Sequence, residues 1–244
     1  MKPAPCLGAA YRQFVSRAPP MMTQPNFSSR LPLALVWCFL VWPHAATSQQ
    51  RFEFSCSTFP PNTSEAELVR RFGAANVHTG PVAGGGAEGE YTQGTLMFSE
   101  AVDAKVEILW KNRESKNAPS LVWIDGSRSR WRSPEGITLG SHLKMVERVN
   151  RRPFRMAGFG FDGSGTVIAW SGGRLAAPDG AGCRMRLSLD NRFETTSVSN
   201  DPGAIRALSR QVMGDRQYFS SGHPAMQALD PQVYRMFLEY DHLN

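Results

Sequence analysis

The sequence predicts an α+β fold of short helices packed on antiparallel sheet, in an order that suggests two tandem helix-hairpin-strand repeats. Three observations carry this expectation. Residues 64–73 and 141–150 place apolar side chains at helical spacing between a serine start and a stop. Residues 104–110, 183–189 and 233–240 alternate apolar and polar side chains at the period of a half-buried strand. Glycine-rich turn chemistry, as in Asp162-Gly-Ser-Gly165, separates such stretches.

Residues 1–48 hold Lys2, Arg12, Arg17 and Arg30 and no acidic residue, so they carry +4 of the formal +6. The remainder has 23 basic against 21 acidic residues, a balance of +2, and gives no reason to expect a nucleic-acid partner. Arg30 precedes a short apolar run, 31–42, and then Ala46-Thr-Ser48, a small-x-small pattern. The run is shorter than the roughly 17–25 residues of a membrane span. It fits the core of a signal peptide cut near Ser48. Residues 1–20 precede the paired Met21-Met22, which offers a second start. The expected organisation is therefore leader 1–48, a first α+β half 49–136 and a second half 137–244 ending in a strand, packed as one globular unit. The expected location is periplasmic or secreted.

After the leader two cysteines remain, Cys56 and Cys183. An isolated pair in an exported chain reads as a disulfide, since two cysteines are too few for a structural zinc site. Phe52, Phe54 and Cys56 share one face of a strand-like segment, and Cys183, Met185, Leu187 and Leu189 share one face of another.

In chain order, the strand at 52–56 is broken by Pro60-Pro61. Ser64-Glu-Ala-Glu67 then forms a capping box opening a helix with Ala66, Val69 and Phe72 on one face and Gly73 as its stop. The run 80–89, centred on Gly84-Gly-Gly86, reads as a mobile loop. Strands follow at 95–98 and 104–110, the second with one wet face. A polar loop spans 111–119, and a more fully buried strand spans 121–124. Ser141 opens a second helix with Leu143, Val146 and Val149 buried and Pro153 beyond its end. Residues 155–161 and 166–170 form a hairpin, and 183–189 an alternating strand. Asp201-Pro-Gly starts a short helix through Leu208, 218–224 is a turn-rich loop, and 233–240 is the final strand.

Residues 137–189 contain a complete helix, hairpin and strand, and 64–110 align with them in the same order. Ser64 falls over Ser141, Val69 over Val146 and Phe72 over Val149.

Few residues suggest chemistry. Arg128-Ser-Arg130-Trp131-Arg132 has the composition of a polyanion or cation–π contact, so these four residues are binding candidates, with an anionic glycan or acidic protein as the ligand. The alternative is a solvated turn or edge strand with Trp131 tucked down. His223 beside Ser220 and Ser221, with Asp215 upstream, holds the residue types of an acyl-transfer site, although Ser, Gly, His and Pro are also what a turn is made from. No catalytic residue is otherwise assigned. Asp162 and Asp179 sit beside glycines as turn residues. Gly158-Phe-Gly160-Phe-Asp-Gly163 matches the dinucleotide fingerprint in letters, but a β-branched strand follows where a helix must face the pyrophosphate. No cofactor is expected. None of His78, His142, His223 or His242 has metal-ligand spacing to another His or Cys, so no metal is expected either.

Leu139-Gly140-Ser141 followed by Val146, Val149 and Pro153 resembles the helix opening of outer-membrane-assembly lipoproteins of the SmpA/OmlA type and of the tandem β-lactamase-inhibitor-protein repeat. That resemblance implies helices on an antiparallel sheet that serves protein–protein contact. Asn150 stands where those proteins usually have glycine, and the first half lacks the leading Leu-Gly. More broadly, Leu139-Gly through Arg152-Pro-Phe154, Gly158-Phe-Gly-Phe-Asp and Gly165-Thr-Val to Trp170 resemble a group of secreted bacterial proteins. The expected role is a non-catalytic exported protein contacting another envelope protein. The alternative is an envelope hydrolase or glycan-binding enzyme using the His223 loop. Oligomeric state is left open.

Overall fold

The computed structural model describes residues 52–83, 91–161, 163–176, 182–190 and 200–240. The expected leader, residues 84–89 of the glycine run, Asp162 and Asp179 lie outside these. All described elements belong to the unit Gln49–Asn244.

Among the described residues the order is α1 (Glu65–Phe72), β1 (Val77–Ala83), β2 (Tyr91–Met97), β3 (Val106–Asn112), β4 (Asn117–Asp125), α2 (Leu143–Asn150), β5 (Arg155–Ala157), β6 (Val167–Ala169), β7 (Cys183–Leu189), α3 (Pro202–Arg210), β8 (Tyr218–Ser220), α4 (Pro224–Leu229) and β9 (Val233–Tyr240). Six strands form one antiparallel sheet in the order β1-β2-β3-β4-β9-β7, and three form a second in the order β6-β5-β8. The fold is thus α+β, as the periodicities predict. Both halves run helix, hairpin, strand. They differ in pairing, because β1, β2 and β3 are neighbours in one sheet whereas β5 and β6 join β8 and β7 joins β9.

Helix α1 forms where its caps direct it. Ser64 Oγ accepts from the Glu67 amide at 3.2 Å, and Gly73 takes φ +89° at the end. The Glu67 carboxylate lies 3.7 Å from Arg71 one turn on. Its fully buried residue is Leu68, with Val69 and Phe72 partly buried beside it; Ala66, expected on that face, is exposed. Helix α2 starts one residue later than expected, with His142 at the N-cap, because Ser141 Oγ accepts from the Thr138 amide at 3.0 Å.

Four further expectations are corrected. Residues 52–56 form a bridge from Glu53 to Arg132 and then a turn, closed by the Phe59 and Thr58 amides donating to Ser55 O. Gly80 and Pro81 belong to β1, paired with Gly94 and Gln93, so the start of the expected loop is strand. The polar loop at 111–119 shrinks to a tight connection, because Asn112 pairs with Asn117 and Lys116 adopts φ +46°. The turn-rich segment 218–224 contains β8, paired with β5, and leads directly into α4.

The large sheet packs Val106, Ile108, Trp110, Val122, Ile124, Met236 and Leu238 into the main core with Leu68, Leu143, Val146 and Phe154. Its other face is drier than β3 alone suggests: Leu109, Trp123 and Val82 are buried there with Leu96, Leu121 and Phe237 packed on them. Leu109 stands opposite Leu121 and Trp123 opposite Phe237, so large side chains on adjacent strands cover one another. Cys56 and Cys183 form a disulfide, with Cα atoms 5.8 Å apart, tying the N-terminal turn to edge strand β7. Nearby, the buried Tyr240 hydroxyl donates to Phe59 O at 2.6 Å, and burial raises its pKa.

Candidate functional site

The loop from β8 to α4 brings Ser221 and His223 close in sequence but gives them different work. Ser221 is fully buried. Its hydroxyl donates to Glu147 Oε2 on α2 at 2.5 Å and accepts from the Phe154 amide at 2.9 Å. Gln227 Nε2 completes the cluster, donating to Glu147 Oε2 at 3.2 Å and to Ser221 O at 2.9 Å. A serine hydroxyl with no exposed surface that donates to a carboxylate and accepts from a buried amide joins elements, and it is not within hydrogen-bond distance of His223. His223 is the N-cap of α4, where Nδ1 accepts from the Ala225 amide at 3.2 Å. Its ring lies edge-on to Phe219 at 5.8 Å. Asp215 is exposed in the turn before β8. The structure therefore links Ser221 to Glu147 and assigns His223 to the helix cap.

No sequence motif singles out Glu147 or Gln227. Glu147 lies one turn beyond Leu143, on the rim of the buried stripe of α2, and a carboxylate in that position calls for a partner.

The Arg128–Arg132 cluster separates into a core residue and three surface charges. Trp131 has no exposed surface, and its indole N–H donates to Ala104 O at 2.7 Å. Phe52, Phe59, Phe72 and Phe98 surround it, with ring centroids 5.1–6.3 Å away. As an aromatic contact for a ligand it is thus corrected: a large indole with a satisfied N–H belongs in a core. Arg128, Arg130 and Arg132 remain exposed. Arg130 Nε pairs with Asp103 at 2.9 Å, and that hydrogen bond holds the Asp103 carboxyl below its usual pKa.

A different surface stands out. Among the described residues, the exposed large hydrophobic side chains include Phe161 (50%), Ile168 (37%), Met213 (42%) and Tyr218 (52%). All four lie on or beside the three-stranded sheet. Its inward side chains, Met156, Val167 and Phe219, pack on the core. Ile168 is on edge strand β6, and Tyr218 on β8 pairs with Ala157 of β5. Met213 is bridged through Phe159 to the segment leading to Phe161. Arg155 lies over the Tyr218 ring at 5.6 Å. Tyr91 and Val102 are the other exposed large hydrophobics among the described residues.

Among the described residues no group of three or more His, Cys, Asp or Glu could hold a metal ion. No described helix is long and apolar enough to cross a membrane. No family model, curated protein or solved structure matches this chain.

Proposed function

We propose that this chain is a non-catalytic exported protein that contacts another envelope protein through the outer face of the three-stranded sheet. The observation that carries this reading is that the exposed Ile168 and Tyr218 on the small sheet are joined by exposed Phe161 and Met213 in the loops beside it. Grouped exposed apolar side chains are the composition of a protein contact. The Cys56–Cys183 disulfide agrees with an oxidising compartment, and the leader pattern at 1–48 agrees with export to the periplasm or beyond. The resemblance of 139–153 to the SmpA/OmlA and β-lactamase-inhibitor-protein repeats points the same way.

The hydrolase alternative gains no support from the His223 loop, where the serine and the histidine each serve local structure. Comparing a Phe161→Ser/Tyr218→Ser double variant with the parent in capture from periplasmic extract tests the proposal. Loss of a specifically captured protein is expected, with the disulfide and stability intact. A hydrolytic activity abolished by His223→Ala would replace it with the alternative.

A further inference from the structure

We infer that the depression between α2 and α4 is a binding site for a phosphate-bearing anion. It is a shallow, open depression of about 400 Å³ lined by Lys144, Glu147, Arg148, Arg151, Arg152, Pro153 and Gln227. That volume lies within the roughly 300–1,000 Å³ of small-ligand sites. Four cations face one carboxylate there, an excess of +3, against +2 for residues 49–244 as a whole.

Some cations among the described residues are paired with a carboxylate and others, such as Arg70, Arg128 and Arg132, are not; the depression gathers three of the latter kind. Arg71, Lys105, Lys116, Arg130, Arg186 and Arg235 each pair with a carboxylate. Among the described residues, no carboxylate lies within ion-pair distance of the Arg148, Arg151 or Arg152 guanidinium groups. Meanwhile the one acidic group in the depression is engaged: Glu147 Oε2 holds both Ser221 Oγ and Gln227 Nε2.

Basic residues at the end of a helix offset its negative pole, which accounts for Arg148 in the last turn and Arg151 at the C-cap of α2. It does not account for Arg152 beyond the cap. A concave surface with converging cations concentrates positive potential. Guanidinium forks match the paired oxygens of a phosphate better than they match a monovalent halide. The site shares no side chain with the apolar face of the three-stranded sheet, so the two proposals stand or fall separately.

The test uses calorimetric titration of the whole chain with inorganic pyrophosphate at fixed ionic strength. A parallel arm uses co-sedimentation with phosphatidylcholine vesicles carrying phosphatidic acid. The variants are Arg148→Gln/Arg152→Gln and, as a control of equal charge change outside the depression, Lys111→Gln/Arg113→Gln. All four side chains are exposed, so folding is expected to survive both changes. Saturable binding weakened about tenfold or more by the first pair, and by less than about twofold by the second, is the expected result. Pyrophosphate binding identifies a soluble phosphate ligand, and vesicle binding alone identifies a lipid phosphate. Failure of both probes to bind, or equal weakening by the two variants, overturns the inference.

Discussion

The buried Ser221 hydroxyl donates to Glu147 Oε2 at 2.5 Å across 74 positions of the chain, tying the start of α4 to the face of α2. Ser221 Oγ itself accepts from the Phe154 amide, so this one hydroxyl satisfies two groups. Ser221→Ala leaves the amide and the carboxylate short of a partner and is expected to cost about 2 kcal/mol. Urea unfolding measures it; unchanged stability would remove the structural role assigned to Ser221.

Glu65 makes a second such tie, at the opposite helix. Its carboxylate receives Thr95 Oγ1, Lys116 Nζ at 2.9 Å and Thr79 Oγ1 at 3.2 Å, and Thr95 Oγ1 in turn accepts from Trp110 Nε1 at 2.7 Å. Burial opposes the charged form, but the hydrogen bonds from Thr95, Lys116 and Thr79 outweigh it and lower the Glu65 pKa below 4.5. A lowered folded-state pKa contributes stability that is present above the unfolded value and lost as pH falls through the folded one. Glu65→Gln should therefore destabilise by about 1 kcal/mol at neutral pH. It should also flatten the fall in stability below pH 4.5. Thermal unfolding between neutral pH and pH 3 checks both; an unchanged acid limb would exclude Glu65 as a contributor.

The Cys56–Cys183 bond closes a separation of 127 residues. Long loops restrict the unfolded chain most, so replacing both cysteines with alanine should cost about 2–5 kcal/mol. Mass spectrometry with alkylation reports the bond directly. Two thiols that alkylate without reductant would contradict it, whereas a gain of two hydrogens only on reduction supports it.

Local signals made part of this fold legible. The Ser64 cap and the Gly73 stop bracket α1, and the alternation in β7 and β9 places both strands correctly because each buries one face. Helix α4 is not legible in the sequence, because its six residues follow Gly-His at a proline, where turn chemistry and an N-cap look alike. Strand β8 is not legible either, because three residues carry no period and its pairing with β5 is set by tertiary contact. Trp131 was readable in retrospect: an extended Arg130-Trp131-Arg132 directs its central side chain opposite to the arginines. The Ser221–Glu147 contact had no local sign, since nothing near either residue names the other. The same holds for the apolar face, whose members come from β6, β8 and two loops.

The central claim is that the three-stranded sheet contacts a protein. Its most direct measurement is photo-crosslinking in cells, with a benzophenone amino acid placed in turn at positions 218 and 102. Both are exposed hydrophobic positions, but Tyr218 lies on the sheet and Val102 lies away from it. The account predicts a discrete adduct with one envelope protein from position 218, weakened by Phe161→Ser, and none from position 102. Equal labelling from both positions, or no adduct from position 218, would contradict it.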